Sequence, residues 1–215
     1  IIAQANRHRR LVITATQMLE SMTQHPSPTR AEASDVANAI FDGTDAVMLS
    51  AETARGQYPV ESVQVMDRIV RVAEGEPVFL NIGPVERSTG RERRSIPEAM
   101  CEAAASAAAA TQAAAIATFS ESGSTARLLS KQRPVAPIIA FTPHDLVERR
   151  MALYWGVLPR IMARVQDPDE RILAVERRLV EETLAGSGDC VVVVSGALAG
   201  QLGGTNAMKL HRIVS

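Results

Sequence analysis

Three short polar stretches carry side chains that could do chemistry: Thr16-Gln17, Ser50-Ala51-Glu52-Thr53 and Ser120-Glu121-Ser122-Gly123-Ser124-Thr125. Each follows a short apolar run of strand character. In α/β folds the ends of such strands are where ligands and reacting groups are held. Small hydroxyl residues there also cap turns, and Glu52 equally suits a capping or solvated carboxylate, so residue type alone leaves both roles open. The third stretch offers more: hydroxyls, free amides and the positive end of a helix at one place suit a phosphate monoester, or simply a capped helix start. Lys131 and Arg133 could assist such an anion or merely complement the end of that helix. His8, His25, His144 and His211 show no ligand spacing, and no metal site is expected among these residues.

The elements that must position these stretches alternate strand-like and helix-like runs. Leu11 to Ala15 reads as a strand ending at Thr16. Thr29 and Glu32 form a capping box for a helix from about Arg30 to Asp42, with Ala33, Val36, Ala37, Ile40 and Phe41 on one face and Gly43 as its stop. Ala46 to Leu49 reads as a second buried strand. Pro59 starts a helix expected to carry Val60, Val63, Met66, Ile69 and Val70 inward and to stop at Gly75. Residues 76–94 lose all periodicity and read as a linker.

A second series begins after the linker. Its helices are expected from Ile96 to about Thr111, rich in alanine, then from Thr125 to Gln132, from Pro143 to Trp155 capped by Thr142, and from Pro168 to Ala185. In the last of these Ile172, Val175, Leu179 and Leu184 are the candidate core. Strands are expected at Ala115 to Phe119, Pro137 to Phe141, Val157 to Ala163 and Val191 to Val194. A loop with Gly196, Gly200, Gly203 and Gly204 precedes a last strand, Met208 to Val214. This order predicts an α/β protein: a partial (β/α)8 barrel segment over 1–75, then a three-layer αβα domain with a mostly parallel sheet over 95–215. Two βα units fall far short of the roughly 250 residues of a closed barrel, and the chain opens on Ile1, so it is read as starting at a cut in a longer one.

Composition narrows the class. The chain has 215 residues, 46% hydrophobic and 22% charged, and no apolar run approaches the roughly 18 residues of a membrane span. With 23 basic against 24 acidic residues, nothing draws it to nucleic acid. Cys101 and Cys190 are too few for a disulfide framework or a metal cluster and read as small buried hydrophobes in a reducing compartment.

The strings VITATQMLESM from Val12, PTRAEASDVANAIFDGTDAVMLSAET from Pro28 and QYPVE from Gln57 resemble the pyruvate kinase family closely, and the order of elements after the linker is similar to its C-terminal domain. The resemblance implies a cytoplasmic glycolytic enzyme, typically a tetramer, that passes a phosphoryl group from phosphoenolpyruvate to ADP with magnesium and potassium. It implies that Thr16 lies beside the substrate phosphate and enolate carbon, that Ser50 belongs to a hydroxyl and water relay protonating the enolpyruvate, and that Glu52 neighbours that relay. The metal-binding carboxylates, the lysine at the transferring phosphate and the potassium site lie upstream in the family, so the 215 residues alone are expected to be inactive.

For the second domain the resemblance implies an effector loop at Ser120, Ser122, Gly123, Ser124 and Thr125. Ser124 stands where many members have arginine, and Glu121 where the fructose-bisphosphate-responsive members have lysine. A monophosphate, AMP or a sugar monophosphate, is therefore the expected effector. Trp155 stands where relatives commonly have arginine and is expected in the core or a subunit contact. The reading from a different class is a non-catalytic module that binds a phosphorylated metabolite and builds the homo-oligomer.

Overall fold

A computed structural model describes residues 1–76, 94–196 and 204–214. The expected linker lies almost wholly outside the described residues, as do Gly200 and Gly203 of the expected glycine-rich loop. The chain divides into two compact units between residues 85 and 86.

In the first unit β1 (Ile13–Thr14) and β2 (Ala46–Val47) pair in parallel, with Ile13 opposite Ala46 and Thr14 opposite Val47. Both are shorter than the expected strands. A helix not foreseen from the sequence, α1 (Ile2–Arg7), precedes them, and its buried Asn6 donates from Nδ2 to the carbonyl of Gly43 at 2.9 Å. Between the strands runs α2 (Arg30–Phe41), whose Thr29 and Glu32 form the expected capping box. After β2 come the single turn α3 (Ala51–Ala54) and the long α4 (Pro59–Gly75).

The core of this unit is Met18, Leu19, Met22, Val36, Ala39, Val65 and Met66. The inward face expected for α4 needs correction. Val60 and Val63 are 63% and 53% exposed. The face that packs on α2 instead runs through Ser62, Val65, Met66, Ile69 and Ala73, which follow the 3.6-residue period from a different starting point. Ser62 can sit there because its hydroxyl donates to the carbonyl of Tyr58 at 2.7 Å.

The second unit is built on a five-stranded sheet in the order β5-β4-β3-β6-β7. These strands are β3 (Ala115–Phe119), β4 (Ile138–Thr142), β5 (Val157–Ile161), β6 (Cys190–Gly196) and β7 (Thr205–Arg212). Only the β6–β7 pair is antiparallel, so the sheet is mostly parallel, as the sequence predicts. Alternation along the strands sorts the side chains onto two faces. Ile116, Ile138, Ala140, Val192 and Val194 meet Cys101, Ala104, Ala108, Ala126, Leu129 and Met151. These belong to α5 (Ile96–Thr111), α6 (Ser124–Ser130) and α7 (Asp145–Met151). On the opposite face Ala115, Ala117, Ile139, Phe141, Val191 and Val193 meet Val175 and Leu179 of α8 (Pro168–Glu181). The three layers result directly.

Alanine at the inner positions of α5 lets that helix lie close on the sheet. Ser95 and Glu98 close a second capping box at its start. The helix expected over Pro143 to Trp155 is shorter, because Thr142 stays in β4 and its hydroxyl accepts the His144 amide instead of capping a helix.

The close approach of α5 makes a prediction. Ala104 has no exposed surface. Ala104→Leu should therefore overpack the layer and lower unfolding free energy by about 1–3 kcal/mol, read as a shifted urea midpoint in the fluorescence of the sole tryptophan, Trp155.

Candidate functional site

Parallel pairing puts the carboxyl ends of β1 and β2 side by side, and the two hydroxyl stretches of the first unit leave from those ends. After β1 the chain passes Thr16 and Gln17, both exposed, with Gln17 at φ 44. It then turns inward at Met18 and Leu19, which are 3% and 0% exposed. After β2 the amide of Met48 still donates to the Thr14 carbonyl at 2.9 Å, and the chain reaches exposed Ser50 at the start of α3.

One side chain ties these loops together. Glu52 is 2% exposed. Its Oε1 accepts the backbone amide of Leu19 at 3.0 Å and its Oε2 accepts the amide of Ser50 at 2.7 Å. A buried carboxylate is tolerable when charge-assisted hydrogen bonds replace its water. Gly56 belongs to the same arrangement, because a Cβ at that position would come within 2.4 Å of the Glu52 carbonyl oxygen. Only glycine fits so close to the turn that carries Glu52.

A second carboxylate holds the other end of the β1 loop. Glu32 accepts the Ser21 amide at 2.7 Å and the Ser21 hydroxyl at 2.5 Å, besides capping Thr29. Burial alone would raise the Glu32 carboxyl. The hydrogen bonds from Ser21 and Thr29 outweigh it and hold the carboxyl below its ordinary value. From the sequence Glu32 is an ordinary helix start. A serine at the −11 position gives no pattern from which its partnership with Ser21 could be read.

The third stretch lies at the carboxyl end of β3. Ser120 is 5% exposed and its amide donates to the Phe141 carbonyl at 2.9 Å. Gly123 adopts φ +78, and a Cβ there would press to 3.1 Å of the Met151 side chain. The Ser122 hydroxyl reaches that of Ser124 at 3.1 Å, and both side chains are half-buried. Thr125 is buried, its hydroxyl 2.7 Å from that of Thr205 on β7. Ser122 and Ser124 thus form the more open part of the loop, while Ser120, Thr125 and the buried Gly123 anchor it.

The neighbours of this loop are not legible from the sequence. Glu121 receives Arg164 through Nε at 2.8 Å and Nη2 at 2.7 Å, and stands 2.9 Å from Nε2 of His144. The Arg150 guanidinium donates to the Ser122 carbonyl. The hydrogen bond from Arg164 is the main reason the Glu121 carboxyl lies below its ordinary value. Burial opposes this and His144 adds to it. Arg133, considered from the sequence as an anion ligand, has its guanidinium 4.7 Å from the ring centre of half-buried Trp155, and Lys131 is buried at the end of α6. Among the described residues no three His, Cys, Asp or Glu side chains come together as a metal-ligand set, and no helix is long and apolar enough to cross a membrane.

Comparison with known proteins accounts for both units. The family model described as pyruvate kinase, barrel domain, matches residues 1–63, and that described as pyruvate kinase, alpha/beta domain, matches residues 98–211. The chain is 46% identical over 213 residues to the pyruvate kinase of Geobacillus stearothermophilus and 44% identical over 214 residues to that of Sporosarcina psychrophila, covering 99% of this chain and 36% of either relative. It is also 44% identical over 211 residues to the pyruvate kinase of Clostridium acetobutylicum, covering 98% of this chain and 44% of the relative. The chain thus spans less than half the length of these relatives.

The carboxylates generate two predictions. Glu52→Ala leaves two amides without their acceptor and should cost the first unit about 2–4 kcal/mol, with the amide resonances of Leu19 and Ser50 moving most in an NMR spectrum. Glu52→Gln, which keeps one acceptor, should cost less. Glu32, Glu121 and Glu182 all have carboxyls lowered from 4.5; at Glu182, just after α8, burial is outweighed by the Arg160 and Arg178 guanidiniums that hold it. The stability that these three contribute is complete above that value and lost as pH falls through their lowered values, so denaturation midpoints should hold from pH 7 to 5 and fall below about 4.5.

Proposed function

The chain belongs to the pyruvate kinase family, and from that premise we propose that its 215 residues are the C-terminal part of an enzyme that transfers a phosphoryl group from phosphoenolpyruvate to ADP, giving pyruvate and ATP. In this reading 1–75 is the end of the catalytic barrel and 95–215 the effector-binding and oligomerising domain. The observation that carries it is the pair of hydroxyl-bearing loops leaving adjoining parallel strand ends with one carboxylate between them.

The chemistry asks for such an arrangement. When the phosphoryl group departs, the remaining enolate must take a proton at its terminal carbon while its oxygen becomes a carbonyl. A positioned hydroxyl that is itself resupplied from solvent can deliver that proton without ever ionising alone. Thr16 stands beside the reacting carbon in this proposal, and Ser50 hands protons on through water. Both are exposed, as proton entry requires. Glu52, with both oxygens committed to backbone amides, fixes the distance between the two loops.

Magnesium and potassium, which the family uses to neutralise the transferring phosphate, would be held by parts of the enzyme other than these residues. The second unit then serves regulation and assembly. Ser122, Gly123 and Ser124 offer hydroxyls and an amide to one phosphate, with Ser120 and Thr125 holding the loop in shape. Its effector in this reading is AMP or a sugar monophosphate, and the enzyme is a cytoplasmic homotetramer.

A coupled assay tests the assignment. The 215-residue chain alone should show no magnesium-dependent turnover, and turnover by it would overturn the reading. In the full-length enzyme Ser50→Ala should lower kcat by about 10²–10⁴-fold with little change in KM for phosphoenolpyruvate, and should slow exchange of pyruvate methyl protons with deuterated water equally. Unchanged kcat and exchange would remove Ser50 from the relay.

A further inference from the structure

Gln17, the residue after Thr16, adopts φ 44, a left-handed backbone that a residue other than glycine holds only under strain. Such a conformation persists where the surrounding structure over-determines it. Just beyond Gln17 the chain is held from three elements. The Leu19 amide donates to Oε1 of Glu52 at 3.0 Å. Ser21 donates its amide to Oε1 of Glu32 at 2.7 Å and its hydroxyl to Oε2 at 2.5 Å. The Gln57 amide then donates to the Thr23 carbonyl at 2.9 Å, where the 3-10 turn Glu20–Thr23 ends. Glu32 does more here than a helix cap requires. In the capping box at Ser95 and Glu98 one oxygen, Oε2, takes both the amide and the hydroxyl of the cap residue. Oε2 of Glu32 does the same for Thr29, at 2.8 Å each, and Oε1 is turned to the Ser21 amide. One carboxylate thus caps α2 and grips the loop after β1.

We propose that Glu32 is a positioning residue for the reaction: acting through Ser21, it keeps the loop after β1 from relaxing and so holds strained Gln17 and the Thr16 hydroxyl in place. The proposal rests on the reading of Thr16 as the group beside the reacting carbon. Without the grip on Ser21, the loop is free to turn about Leu19, and Gln17 can return to an ordinary negative φ. That rotation moves Thr16, which is joined directly to Gln17. A shift of about 1 Å in a group that must meet a reacting carbon is enough to slow proton delivery severely. Capping and positioning separate experimentally, because glutamine also serves in a capping box. In Glu32→Gln one carbonyl oxygen must answer the Ser21 and Thr29 amides, which the carboxylate meets with one oxygen each.

Kinetics and amide hydrogen exchange of the full-length enzyme test it. Glu32→Gln should lower kcat about 10-fold or more, leave KM for ADP unchanged, and slow exchange of pyruvate methyl protons with deuterated water equally. The same variant should speed amide exchange in the peptide covering residues 16–24. Ser21→Ala should act in the same direction but less, since its amide remains. Added to Glu32→Gln it should cost little more, because the two residues act as one unit. Thr16→Val is the control on the underlying reading. If it lowers kcat and methyl-proton exchange while Glu32→Gln leaves both unchanged, the proposal alone is overturned. If neither variant changes them, the reading of Thr16 falls and the proposal with it. A lowered kcat without faster amide exchange in residues 16–24, or losses from Ser21→Ala and Glu32→Gln that simply add, also overturns it, since Glu32 then acts by a route other than this loop.

Discussion

A buried carboxylate with no water must be answered by hydrogen-bond donors, and at Glu52 the donors are two backbone amides from different loops. That requirement organises the first unit. Strands of two residues each make too short a ladder to fix the loops beyond them. The loop after β1 is held because Leu19 is buried without exposed surface and its amide donates to the Glu52 oxygen. The turn after β2 is held because the same carboxylate draws in the Ser50 amide. Charge-assisted bonds of this kind are worth more than neutral ones and fail together when their shared acceptor goes. Thr16 and Ser50 are left outside this scaffold, with their side chains available to solvent.

In the second unit the corresponding constraint is the sheet. A parallel strand buried on both faces is a near-continuous apolar run, as Ile138 to Phe141 and Val191 to Val194 are, with buried Thr118 of β3 an exception. Polar residues concentrate where the strands end. The loop at Ser120, His144 after β4 and Arg164 after β5 therefore gather at the carboxyl end of the sheet, beyond its buried runs. Thr125 against Thr205 then ties the loop to β7.

How far the sequence reveals this depends on the range of the interaction. The Thr29 and Glu32 box is written within four residues and is read correctly, and so to within a residue or two are the central strands β3, β4 and β6, whose apolar runs announce burial, whereas β7 starts three residues earlier than expected. The face of α4 is misread at Val60 and Val63 because several valines repeat along that helix, and period alone does not say which set meets α2. Partnerships across long separations leave no local trace. Glu52 and Leu19 are 33 residues apart, and Glu121 and Arg164 are 43 apart. The hydroxyls of the candidate site are legible as types at strand ends, but their scaffold is not. The resemblance puts Glu52 near the proton relay, whereas its geometry is that of a brace.

The two units answer the same problem with different partners. Glu52 is sealed and its partners are backbone amides, so its loops are held in one arrangement. Glu121 is half-buried at 20% exposed, and its partners are charged side chains about half open to water. Such a pair, whose cations stay open to water, contributes less than a sealed carboxylate clamped by amides. A brace that strong suits loops whose mutual placement must not vary.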